Sequence, residues 1–179
     1  MYHISDDIRA RRSARRICDA VLEESRRKPF ADISISDLNK AYGISRTTFY
    51  RLFDNTVDVL EYACDQMGWA ILLDLAGGSV KELAIGAISA LGDRREFIEL
   101  LYRSGHMDIF LRVQERYLPV SRLAPEPELE GSPAYFHGIL AQLIPAAIQV
   151  WVSEGMRESP EQVYDELRRS IRILGKWFP

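Results

Sequence analysis

Apolar residues recur three or four positions apart along nearly the whole chain, the spacing of helices that bury one face. Ile8, Ala14, Ile17, Cys18, Val21 and Leu22 predict a first helix from about Asp7 to Arg27. Asp6 and Asp7 complement the positive end of its dipole, and Pro29 pushes the residue before it out of the helical region. A short linker, Phe30–Ser34, precedes two helical patterns of about two turns each. Ser34 or Ser36 can cap the first, which runs through Asp37, Leu38 and Ala41 and ends at Tyr42-Gly43. Ser45 caps the second, through Thr48, Phe49, Leu52 and Phe53. Two short helices joined by Gly43-Ile44-Ser45 have the form of a helix-turn-helix.

Longer patterns follow at about Thr56–Leu75, Val80–Leu91, Arg94–Arg103 and Asp108–Tyr117, with Gly77-Gly78-Ser79 as a break. Pro119–Pro133 holds four of the eight prolines and three glutamates, which predicts a loop. Two long amphipathic helices close the chain. The first spans about Pro133–Met156 and the second starts at Ser159-Pro160-Glu161, with serine as cap and proline in the first turn. The pattern holds no convincing strand and no internal repeat. The predicted fold is all-α with about nine helices: a helix-turn-helix module over residues 1–55 and a helical domain over 56–179.

Charge divides along the same boundary. The net charge is −3, but residues 1–55 carry 11 Lys+Arg against 8 Asp+Glu, and residues 56–179 carry 12 against 18. A basic front suggests a polyanionic partner. The second short helix turns Phe49, Leu52 and Phe53 inward and leaves Arg46, Thr47, Tyr50 and Arg51 outward, where such helices enter a major groove. Arginine can present a fork to guanine and threonine can meet a thymine methyl; serine and tyrosine hydroxyls suit phosphate. On spacing alone the pair reads equally well as an ordinary helical corner with a solvated polar face. The arginines at 9, 11, 12, 15 and 16 read either as a solvated helix face or as an arm lying along phosphates.

The stretch Ile33-Ser34-Ile35-Ser36-Asp37-Leu38-Asn39-Lys40-Ala41-Tyr42-Gly43-Ile44-Ser45-Arg46-Thr47-Thr48-Phe49-Tyr50-Arg51-Leu52-Phe53 resembles the reading head of the TetR family of bacterial transcriptional regulators. The resemblance covers about residues 8–62, and the run Trp151…Gly155-Met156…Ser159-Pro160-Glu161 is similar to the closing part of many small members. It implies base contacts from Arg46, Thr47 and Thr48, phosphate contacts from Tyr50, Ser34, Ser36 and Ser45, and either role for Arg51. Thr56 stands where the family commonly has a phosphate-binding lysine, and Asn39 where it has a small alanine. The resemblance further implies a homodimer on a palindromic operator in double-stranded DNA, joined through the closing helices. Phe136, Leu140, Leu143, Ala147 and Trp151 would form one side, with Val163, Leu167, Ile171, Leu174 and Phe178 on the other. A pocket for a small-molecule effector is implied among Tyr62, Trp69, Phe97, Tyr102, His106, Phe110 and Tyr117. The implied function is a repressor released by that effector; the alternative is a TetR-like interaction or activator module without small-molecule sensing.

Other chemistries find little support. His3, His106 and His137 form no His-Glu-x-x-His, and neither a Gly-x-Ser-x-Gly nor a Gly-rich phosphate loop occurs, so no enzyme is expected. Cys18 and Cys64 build no zinc site, and no metal or cofactor is expected. The polar, acidic opening residues do not resemble a signal peptide, and no apolar run reaches the roughly 18–20 residues of a membrane span. A soluble cytoplasmic protein is the expectation, with no membrane partner.

Overall fold

The computed structural model describes residues 2–74, 79–117 and 133–177. These residues form nine α-helices: α1 (Ile8–Ser25), α2 (Ile35–Tyr42), α3 (Arg46–Leu52), α4 (Thr56–Asp74), α5 (Val80–Gly92), α6 (Arg95–Arg103), α7 (Met107–Tyr117), α8 (Pro133–Ser153) and α9 (Pro160–Leu174). The expected all-α class is the observed one. The Pro119–Pro133 stretch and the glycine pair at 77–78 lie outside the described residues, save that α8 starts at Pro133. Among the described residues the extended pairing is a lone antiparallel bridge between Tyr2 and Phe53.

Helix starts follow local chemistry. The Asp7 carboxylate accepts from the Arg9 N–H, and Ser34, Ser79 and Ser159 each form a reciprocal box with Asp37, Glu82 and Gln162 three residues on. Such caps satisfy amide groups that a helix leaves without intrahelical partners. The linker after α1 tightens into a 3-10 turn at Phe30–Asp32 and buries Phe30.

One buried cluster crosses the predicted boundary between residues 55 and 56. Ala14, Ile17 and Val21 of α1 meet Phe49 and Leu52 of α3 and Val59 and Leu60 of α4, and the same cluster continues to Ile109, Phe110 and Val113 of α7 and Ile148 of α8. Helix α4 packs on both α1 and α7, so it joins the front module to the back half. The closing stretch has a structural explanation. Trp151 donates its indole N–H to the Glu158 carbonyl at 3.2 Å, and its ring lies 3.1 Å from where a Cβ on Gly92 would be. Gly155 takes φ +80°, a left-handed conformation suited to glycine, and its carbonyl accepts from Arg95 at 2.7 Å.

The opening residues make a strap that periodicity does not reveal. The His3 N–H donates to the Leu52 carbonyl at 2.8 Å, and the Tyr2 hydroxyl donates to the Asp65 carboxylate. Asp65, 2% exposed, also receives Arg116 Nη1 on both oxygens at 2.7 and 2.6 Å. Burial and the neighbouring carboxylate push the Tyr2 hydroxyl well above its ordinary pKa, so it stays a donor. Removing one partner leaves a buried charge uncompensated. Arg116→Ala should lower the unfolding free energy by about 2 kcal/mol in urea titrations, less than for a fully buried pair because the guanidinium is half-exposed. An unchanged midpoint would contradict the assigned role of the pair.

Candidate nucleic-acid interface

Helix α3 has only seven residues, too few to be stable alone in water. Its inward residues hold it: Phe49 and Phe53 are fully buried and Leu52 nearly so. That anchoring leaves Arg46, Thr47, Tyr50 and Arg51 exposed on the opposite side, as their spacing predicts. Phe49 supports the Tyr50 ring edge-on, with centroids 5.7 Å apart.

The turn is built from three polar contacts. Gly43 has φ +66°, and its N–H donates to the Asn39 carbonyl at 2.9 Å. Ile44 is buried, with its N–H on the Leu38 carbonyl, while Asn39 Nδ2 donates to the Ile44 carbonyl at 3.1 Å. Asn39 thus closes the corner from outside the core. Arg16 of α1 donates to the Tyr42 carbonyl at 2.6 Å. The end of α1 and the linker after it clasp α2: the Tyr42 hydroxyl donates to the buried Glu24 at 3.1 Å, and Lys28 meets Asp37 at 2.6 Å.

These bonds sort the expected DNA contacts. Ser45 Oγ accepts the Thr48 N–H at 3.1 Å and shares a 2.8 Å bond with Thr48 Oγ1, so the Thr48 hydroxyl and half-buried side chain are engaged within the cap. Ser34 is engaged by Asp37. Arg46 reaches back to Ser36 Oγ at 3.0 Å, which brings residues of α2 and α3 together at the exposed corner. Tyr50, Arg51 and Thr47 have no hydrogen-bond partner among the described residues and offer their polar groups outward. Thr56, partly exposed, opens α4, where the buried Asp58 carboxylate accepts the Asp54 and Asn55 N–H groups at 3.0 and 3.2 Å. Asn55 Oδ1 accepts the Asp58 N–H in return. This closed corner fixes the step from α3 to α4.

The basic run does not form a single face. Arg11 pairs with Asp6, Arg16 supports the turn, and Arg15 stands at a cavity between α1 and α4.

The expected pocket residues do not converge. Tyr62 and Phe97 line a cavity of about 460 Å³ bounded by α1, α4 and the start of α6. Phe110 is core, His106 stacks edge-on against Phe30 at 5.6 Å, and Tyr102 is on the surface. The side chains of Trp69 and Tyr117 lie outside the described residues. The pocket wall supplied by α1 carries no aromatic residue, so a search for aromatics could not find it.

The expected dimer residues divide as well. Trp151 and Val163 are buried, the Trp151 indole closing over Gly92, and both also border the groove between α8 and α9. Leu143, Ala147 and Leu167 line an apolar groove between α8 and α9. Ile171 and Leu174 face outward, joined by Ile139, Val150 and Trp177, which lie at the helical spacing but were not among the expected residues. The side chains of Phe136 and Leu140, and Phe178 as a whole, lie outside the described residues.

No family model matches the chain, and no curated protein is significantly similar to it. Among the described residues no group of His, Cys, Asp and Glu is placed to hold a metal ion, and no helix is long and apolar enough to cross a membrane.

Bonds from Lys28 first, then from the Ser34 hydroxyl and N–H, hold the Asp37 carboxyl well below the usual carboxylate range. A depressed folded pKa stabilises fully above the unfolded value and is lost as pH falls through the folded one. Asp37→Asn should therefore show a urea-midpoint deficit that is constant between about pH 7 and pH 5 and shrinks below about pH 4. A deficit that did not vary with pH would assign the loss to shape rather than charge.

Proposed function

We propose that this protein is a DNA-binding transcriptional regulator of the TetR type, a homodimer that sets one α3 helix into the major groove at each half of a palindromic site. The observation that carries the reading is the short helix α3, anchored by Phe49, Leu52 and Phe53, with Arg46, Thr47, Tyr50 and Arg51 turned outward. Its support is the motif from Ile33 to Phe53, the basic balance of residues 1–55, and the hydrogen-bonded corner that holds the helix pair rigid.

In this reading Arg46 and Thr47 meet base edges, Tyr50 and Arg51 meet phosphates, and Ser36 positions Arg46. Ser34 and Ser45 act through their caps, and Thr48 does so with Ser45. Helix dipoles and free N–H groups add to phosphate binding at such ends. The second copy joins through the outward stripe of Ile139, Val150, Ile171, Leu174 and Trp177 with the groove beside it. Contiguous apolar surface of this kind marks an interface, and twofold symmetry then spaces two recognition helices one turn of duplex apart, about 34–36 Å. Regulation is repression relieved by a small molecule, in the cytoplasm. The second reading, an activator or interaction module without a small molecule, keeps the same fold and the same dimer.

Mobility-shift titrations across a salt series test the reading. The logarithm of affinity should fall steeply and linearly with the logarithm of salt concentration, because phosphate contacts release counterions. Arg46→Ala should relax preference at one base position at a cost of about 1–3 kcal/mol, whereas Tyr50→Phe should weaken all duplexes alike. Affinity without salt dependence, or indifferent to both changes, would contradict DNA binding through α3.

A further inference from the structure

The cavity between α1, α4 and α6 has a composition of its own. At about 460 Å³ it is within the range of small-molecule sites. Its floor is apolar: Val21 of α1, Val59, Leu60 and Met67 of α4, and Leu100 of α6 are buried around it. Its rim is polar, with Arg15 and Asp19 from α1, Gln66 from α4, and Arg94. Arg94 spends one N–H on the Ala90 carbonyl at 2.7 Å, while Arg15 has no hydrogen-bond or ion-pair partner among the described residues. Two guanidinium-bearing residues and one carboxylate residue thus line the rim of an apolar well. One turn beyond Leu22, Arg26 at the end of α1 pairs with Glu96 of α6 and ties the two walls together. Cys18 also lines the well; burial pushes its thiol up to about 12, so it adds no negative charge.

We propose that this cavity binds a small apolar molecule bearing one carboxylate, with the hydrocarbon body on the Leu60–Met67 floor and the carboxylate received by Arg15 with Arg94. A guanidinium fork binds a carboxylate through charge-assisted bonds. The site deepens the regulator reading above and rests on it for the consequence of binding. It differs from the aromatic pocket expected among the middle helices, because one wall belongs to the reading head itself. Helix α1 supports the turn through Arg16 and Tyr42 and holds α2 through Glu24, with Lys28 of the following linker on Asp37. A ligand that prefers a wider separation of α1 from α4 therefore changes the placement of α3, and by linkage DNA changes the affinity for the ligand equally.

Calorimetric titration of the full chain with decanoate, and with decanol as the neutral counterpart, tests the site without DNA. Decanoate should bind and decanol should bind at least about tenfold more weakly, the loss of a charge-assisted bond. Arg15→Gln should weaken decanoate by about tenfold and leave decanol unchanged. Asp19→Asn, a change on the exposed rim that removes the opposing charge, should tighten decanoate. Absence of decanoate binding, equal binding of acid and alcohol, or indifference to both substitutions would overturn the proposal. Decanoate binding that depends on Arg15 in a protein that fails to bind any duplex would leave the site standing and overturn only the regulator reading.

Discussion

The structure depends on one asymmetry in a seven-residue helix. Phe49, Leu52 and Phe53 are removed from water by α1 and α4, and burying each such side chain contributes about 2–3 kcal/mol. No helix of this length forms on its own propensity, so its orientation is dictated by what it buries. The outward direction of Arg46, Thr47, Tyr50 and Arg51 follows from the inward direction of the aromatics. Polar contacts then remove the remaining freedom: Asn39 on the Ile44 carbonyl, Arg46 on Ser36, and Arg16 on Tyr42. A surface built in this way presents its charges at fixed spacing before any partner arrives, which lowers the ordering cost of binding.

The same helix is tied to the back half from two sides. At its distal end the Asp54-Asn55-Asp58 corner passes directly into α4. From the other side the strap at Tyr2 and His3 bonds the end of α3 and then the Asp65–Arg116 pair between α4 and α7. Movement of α4 against α1 must therefore move α3. The cavity between α1, α4 and α6 lies between the two helices whose relative position sets that of α3.

Much of this was legible in the residues. Helix positions followed from apolar spacing, and Ser34, Ser45 and Ser159 marked true starts. Gly43 marked the turn because only a left-handed residue continues the chain there. What escaped has physical causes. A strap of two residues has no period, so Tyr2 and His3 gave no signal, nor did their partner Asp65. An apolar stripe does not say which chain it faces: Trp151 and Val163, expected at a partner, are buried at the edge of the α8–α9 groove, while Val150 beside them faces outward. Aromatic residues signalled bulk rather than a pocket, so Phe110 and His106 proved to be packing, and the α1 wall, made of Arg15, Asp19 and aliphatics, was invisible. Capping residues also look like phosphate ligands, since both roles use a serine or threonine hydroxyl; Ser34 and Thr48 are taken by the helices themselves.

The central claim is that two copies of α3, presented by a twofold assembly, read a duplex. The most direct measurement is repeated selection of bound sequences from a random duplex pool by the purified full-length chain. An enriched palindrome is expected, with half-sites centred about 10 base pairs, or a multiple of it, apart. Enrichment of a lone half-site, or no enrichment over the starting pool, would contradict it.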